Sequence, residues 1–413
     1  MKRITIALTI LFLIATSYAQ EFSSFTPEDF DKDKNYGFLN YVQVSGYAGK
    51  HLGSTESLDA MFTNGFYGFG ARFGTQSTGR KDWQRLHNYP KYGLGVSFFS
   101  LGEADADSLI GAPTALYFFY SAPIARFGGF TFSPDIEIGL STDFNPYDAE
   151  TNSTQNYIGA TTNLHFNLTL ALNYQLSDRF DIGVGLAMLH FSNGRTFTPQ
   201  RGVNLGGLSF SSSYYFNPVK NYTKLVDPEY QPPIRPEFIV AEKPAFEPHH
   251  EFLFFTSVAT VQAEPGEFKD EFGVKDTTSA EGPRYFASTT SVDYAYQFAR
   301  KLKVLAGFDA FYDGSAEYLY KDILPQNTTF ADKSFYGAHV GFHYLIERFA
   351  FVFNYGRYVY KPFEKRGNWY MRVGGRMGIT ESIDAHVALK TRDGGIADWI
   401  EWGVSYKIKV KKK

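Results

Sequence analysis

The sequence predicts an all-β protein, a transmembrane antiparallel β-barrel of about sixteen strands. Three observations carry that reading. Apolar residues recur at every second position in short segments, with small or polar residues between them. Short junctions alternate with long polar ones, as in barrels with tight periplasmic turns and longer outer loops. Beyond the N-terminal segment no uninterrupted apolar run is long enough for a spanning helix, although 18% of the residues are aromatic.

Taken in order, residues 1–19 read as a secretory signal: Lys2 and Arg3, an apolar run over 4–15, then Ser17 and Ala19 before a cleavage point. Residues 20–216 form the first barrel half, with alternating cores near 38–48, 64–74, 92–101, 114–123, 129–141, 159–174, 179–192 and 203–216. Residues 217–248 contain Pro218, Pro228, Pro232, Pro233, Pro236, Pro244 and Pro248, and read as an extended periplasmic crossing. Residues 249–413 form the second half, with cores near 250–262, 284–298, 301–313, 334–346, 348–359, 368–379, 381–391 and 397–409. The tight junctions are 125–128, 176–179, 299–301, 346–348 and 379–382; the long ones are 50–64, 102–113, 142–157, 262–283 and 313–333. Junctions 75–91 and 217–248 break the pattern. One continuous barrel is the favoured closure, with two smaller barrels as the alternative.

The faces are inside-out for a soluble protein. Leu164, Phe166, Leu168, Leu170 and Leu172 oppose Asn163, His165 and Asn167, and Trp369, Met371 and Val373 oppose Arg372 and Arg376. Tyr336, Ala338, Val340, Phe342, Tyr344 and Ile346 oppose His339 and His343, which read as solvated pore residues. Over 181–192 the lipid-side stripe is Ile182, Val184, Leu186 and Met188, and it ends in His190 and Ser192. On the next segment Asn204, Gly206, Leu208, Phe210, Tyr214 and Phe216 share one face.

The residues His190, Phe191, Ser192, Asn193 and Gly194, followed by Pro199, Gly202 and Asn204, resemble the active-site signature of the outer-membrane lipid A 3-O-deacylases of the PagL type. The resemblance implies an eight-stranded barrel with His and Ser two apart at the outer end of its seventh strand and a supporting acid on the eighth; residues 38–216 match that plan. In the second half, Tyr370, Arg372, Leu389, Lys390 and the 397–406 stretch resemble the longer barrels known as acyloxyacyl hydrolases. It further implies that Asn193 supports the oxyanion. The family's glutamate falls on Asn204, and no Asp or Glu occurs between Asn193 and Asn217.

The chemistry of the residues leads the same way. A hydroxyl nucleophile needs a base within reach, and a strand puts residues i and i+2 on one face, so His190 and Ser192 form a base and nucleophile pair. A site facing lipid near the outer rim meets the acyl esters of lipid A or a related outer-leaflet lipid. Asn204 orients the imidazole without a charge, or Asp143, Asp148 or Glu150 of the preceding outer loop lends a carboxylate. Arg195 and Arg201 flank the motif; they meet lipid phosphates or are solvated loop charges.

The competing reading is a porin-like or structural outer-membrane barrel with a vestigial hydrolase site, and the bland reading of His190 is an ordinary rim histidine of the interfacial girdle. With no Cys there is neither a disulfide framework nor a thiolate metal site. A net charge of -3 gives no basic surface for nucleic acid. His249 and His250 are adjacent on a strand and point to opposite sides, which argues against a shared ion. No cofactor or metal is required.

Overall fold

Every strand of the structure but one short one coincides with one of the alternating runs, so the period of two that marks the sequence is the pleat itself. The structure is a computed structural model describing residues 39–52, 65–79, 81–102, 109–148, 150–153, 155, 157–199, 201–216, 235, 238, 246–263, 283–319, 328–362, 367–393 and 395–410. The N-terminal signal and most of the Pro-rich crossing lie outside them.

The first sheet holds β1 (Leu39–His51), β2 (Phe66–Gln76), β3 (Lys91–Ser100), β4 (Gly111–Ser121), β5 (Ala125–Phe127), β6 (Phe130–Phe144), β7 (Asn163–Gln175), β8 (Phe180–Ser192) and β9 (Val203–Tyr215). Sequential strands pair as antiparallel neighbours, β9 returns to pair β1, and β4 pairs β6, so the sheet closes. The three-residue β5 extends the hairpin that enters β6, a small element that periodicity does not reveal. The irregular 75–91 junction contains one short helix, α1 (Asp82–Leu86).

The second sheet holds β10 (His249–Gln262), β11 (Arg284–Ala299), β12 (Leu302–Asp313), β13 (Ser334–Ile346), β14 (Phe349–Tyr360), β15 (Trp369–Gly378), β16 (Ile383–Arg392) and β17 (Ile396–Lys409). It closes through β10 and β17. The all-β barrel class therefore stands, but the single sixteen-stranded closure does not: the chain builds two eight-stranded barrels. Alternation is the same in both closures. What decides is the partner of β1, which is β9. That pairing leaves no open edge for a second set of strands to extend.

Both exteriors are apolar. Val44, Phe69, Leu116, Phe118, Leu140, Leu186 and Phe210 face outward on the first barrel, and Phe254, Val258, Phe308, Val340, Val373, Trp402 and Val404 on the second. Such a surface is stable only in hydrocarbon, where closed barrels leave no backbone group unsatisfied. Inside the first barrel, Arg72 donates to both oxygens of Asp135 at 2.9 and 2.8 Å, and His165 Nε2 lies 3.2 Å from Glu137 Oε2.

The second lumen is also filled by paired charges. Arg372 donates to Glu401 at 2.6 Å and to Asp309 at 2.9 Å; Asp309 also accepts from Tyr370 at 2.6 Å. Here the expectation of solvated pore histidines is corrected. His339 and His343 are buried, 4% and 2% exposed, and His339 sits between Asp309 at 2.7 Å and Asp293 at 3.3 Å. Eight strands enclose just enough space for side chains, so the groups solvate one another.

The described residues group into two compact units. One comprises those within Met1–Asn145, Thr161–Phe191 and Gly202–Lys243; the other those within Pro146–Ala160, Ser192–Arg201 and Pro244–Lys413. Ser192 and the segment after it thus belong to the same unit as β10 to β17.

Candidate active site

β8 and β9 run antiparallel with His190 directly opposite Asn204. Opposed residues put their side chains on one face, close enough to interact. That face is the outward one: Ile182, Val184, Leu186 and Met188 below His190 are exposed, as are Leu208 and Phe210 on β9. The imidazole is half-buried, and its Nδ1 lies 2.7 Å from Asn204 Oδ1. With the amide oxygen accepting, Nδ1 carries the hydrogen and the lone pair resides on Nε2, the tautomer a general base needs.

Phe191, between His190 and Ser192, points into the barrel and is fully buried. Its ring packs on Phe99 and Phe144, both at 5.5 Å between centroids, and on His165 at 5.2 Å. This cluster pins the end of β8 from inside. The sequence reading included Phe191 in the motif but gave it no role of its own, although its odd parity marked it as interior.

Ser192 ends β8 and is 4% exposed, so the outward stripe of the strand stops at His190 rather than continuing to an exposed serine. Beyond it the backbone turns. The Thr196 amide donates to Asn193 O at 3.2 Å, and the Phe197 amide donates to Asn193 Oδ1 at 3.3 Å. Asn193 is buried; with its carbonyl oxygen engaged, its Nδ2 is the side-chain atom of the right polarity for an oxyanion. Gly194 has φ +58°, and a Cβ there would lie 2.5 Å from Ile400 Cγ1, so the turn needs glycine on both counts.

The two arginines differ. Arg201 is exposed, its guanidinium 5.6 Å from the Tyr157 ring centroid. Arg195 is not a lipid-phosphate ligand: it is buried, donates to Ser315 Oγ at 2.6 Å, and pairs with Asp313 and Asp398, each at 3.7 Å. A guanidinium out of water is retained only beside countercharges, and here the protein supplies them.

Of the loop carboxylates, Asp148 is turned to its own loop. Its Oδ1 accepts from the amides of Glu150 at 3.0 Å and Thr151 at 2.7 Å, bonds that hold its carboxyl below the usual carboxylate range. His249 bonds Glu251 and His250 bonds Tyr294, each histidine on its own side of β10. No group of three or more His, Asp or Glu arranged to hold a metal occurs among the described residues.

Two closed eight-stranded barrels with apolar exteriors define the class, an outer-membrane-type β-barrel protein. The chain belongs, more particularly, to the PagL family. Residues 67–213 match the family described as lipid A 3-O-deacylase (PagL), and residues 250–410 match the acyloxyacyl hydrolase, C-terminal domain. That family is one of outer-membrane acyl hydrolases acting on lipid A.

Among solved structures the chain is similar to the outer membrane enzyme PagL at 16% identity and TM-score 0.27, covering 41% of this chain and 97% of that one. It is similar to Neisserial surface protein A at 11% identity and TM-score 0.30, covering 44% and 100%. The Pseudomonas putida toluene transporter TodX is similar at 12% identity and TM-score 0.18, covering 92% and 90%. At those scores none of the three bears on function. Among curated proteins no match is found.

Proposed function

We propose that this chain is a lipid A deacylase working by serine–histidine acyl transfer, with Ser192 as nucleophile, His190 as base and Asn204 as the residue that orients the imidazole. The observation that carries the reading is the 2.7 Å bond between His190 Nδ1 and Asn204 Oδ1 on the outward face of paired strands. It sets the tautomer for proton transfer at Nε2. The exposed apolar residues that share its face, Leu186 and Leu208 among them, support a base that meets lipid acyl chains.

In the first step the Ser192 hydroxyl attacks the ester carbonyl as its proton passes to His190 Nε2. The carbonyl oxygen becomes an oxyanion, supported by the Asn193 side chain. The imidazolium then protonates the leaving sugar oxygen, and an acyl-serine remains. Water, deprotonated by the same Nε2, attacks the acyl-serine; the fatty acid leaves and the serine regains its proton. Asn204 accepts from Nδ1–H throughout but adds no negative charge to steady the imidazolium, so this triad is electrostatically weaker than one ending in a carboxylate.

The test is mass spectrometry of lipid A from cells expressing the wild type, Ser192→Ala or His190→Ala. Loss of one ester-linked acyl chain with the wild type alone is the expected result. Unchanged lipid A in all three, with each protein folded in the outer membrane, would overturn the proposal.

A further inference from the structure

The segment that carries Ser192 and Asn193 is fastened along most of its length to residues of β10, β12 and β17 and their flanks, all within one compact unit. The backbone is held twice: the Gln262 amide donates to Arg195 O at 3.0 Å, and the Thr198 amide donates to Gln262 Oε1 at 2.8 Å. The Phe197 ring lies 4.3 Å from the Arg284 guanidinium, and Gly194 lies against Ile400 and Leu389. The strongest tie is Arg195. Its Nη2 reaches Ser315 Oγ at 2.6 Å, and Ser315 Oγ in turn donates to Asp313 Oδ1 at 2.5 Å. Its Nη1 is shared between Asp313 and Asp398, both 0% exposed.

Such an arrangement is costly unless geometry is being held. Two carboxylates have been taken out of water, and a non-glycine residue with φ +67° sits where they meet. A salt-bridged fork fixes both the position and the orientation of the residue that bears it. Arg195 lies three residues after Ser192 and two after Asn193, so its placement sets where the turn presents both groups.

We propose that Arg195, clamped by Asp313, Ser315 and Asp398, is a positioning residue for the acyl-transfer centre. The C-terminal barrel, through these residues, then serves as the scaffold of the nucleophile segment. The inference rests on the serine–histidine reading above.

The test uses the full-length protein in outer-membrane vesicles containing lipid A. Two quantities are read: kcat and KM for fatty-acid release, and the rate at which a fluorophosphonate ester labels Ser192. Arg195→Gln and the pair Asp313→Asn with Asp398→Asn are expected to lower kcat and labelling together by roughly 10- to 100-fold, the scale of a misplacement near 1 Å. KM is expected to stay within about twofold, since lipid contacts are untouched. Adding Asp313→Asn to Arg195→Gln is expected to cost little more, because both break the tie that runs through Ser315.

Folded Arg195→Gln with unchanged kcat and labelling overturns the proposal. If Arg195→Gln does not fold, Arg195→Lys decides by the same readouts, because it keeps the charge and loses the fork. An intermediate kcat with slowed labelling supports the role; wild-type values for both overturn it. Ser192→Ala separates the two layers. Activity that survives Ser192→Ala removes the nucleophile assignment and the inference with it. Activity lost in Ser192→Ala and intact in the Arg195 and carboxylate variants removes only the inference.

Discussion

Replacing Asn204 tests the least familiar member of the triad. Asn204→Ala deletes the acceptor of the 2.7 Å bond from His190 Nδ1, a bond that strengthens when the imidazole becomes charged in the transition state. Hydrogen bonds to charged groups contribute about 1.5–3 kcal/mol, which converts to roughly a 10- to 150-fold fall in kcat. Loss of the tautomer preference adds to that fall. Asn204→Glu changes the sign: a carboxylate about 4 Å from an imidazolium attracts it by about 4 kcal/mol at an effective dielectric of 20. Desolvation of the new carboxylate offsets part of this, so kcat rises by less than the roughly 1000-fold that 4 kcal/mol corresponds to. The assay is a time course of fatty-acid release from lipid A vesicles at fixed amounts of folded protein. The refuting result is Asn204→Ala at wild-type kcat while Ser192→Ala is inactive. The imidazole would then be oriented by something other than Asn204.

Three further outcomes follow from the packing. Phe191→Ala empties a fully buried ring site among Phe99, Phe144 and His165, and is expected to cost about 3–5 kcal/mol in urea unfolding of the membrane-inserted protein, with a parallel loss of activity. Arg372→Ala leaves Asp309 and Glu401 without their shared guanidinium inside the second barrel; a loss of about 3–5 kcal/mol is expected in the same measurement. Leu186→Arg puts a charge on the 63% exposed lipid face and is expected to destabilise the inserted barrel by up to about 2–4 kcal/mol. The interior change Ser209→Ala serves as its control and is expected to shift stability by less.

Much of the fold was legible because its signal is local. Side-chain direction in a strand alternates with period two, so Ile182, Val184, Leu186 and Met188 declared a lipid face without knowledge of any partner strand. The same parity put His190 and Asn204 at matching positions on segments that follow one another along the chain, and consecutive antiparallel strands pair as neighbours. Arg195 was misread for a corresponding reason. A loop arginine beside a lipid-facing motif looks like a phosphate ligand until its countercharges, Asp313 and Asp398, are known. His339 and His343 looked like pore residues until the filled lumen was seen.

By itself the sequence determined the long strands, most of their inner and outer faces and the pairing of His190 with Asn204 near one strand end, since these depend on residues close along the chain. Tertiary structure alone decided that β1 closes on β9, so that there are two barrels, and that Phe191 is gripped from inside. It also decided that Arg195 finds its acceptor Ser315 across 120 residues. Hydrogen-bond edges and buried charges are satisfied by whichever distant residue the closed sheet delivers, and local periodicity does not encode which one that is.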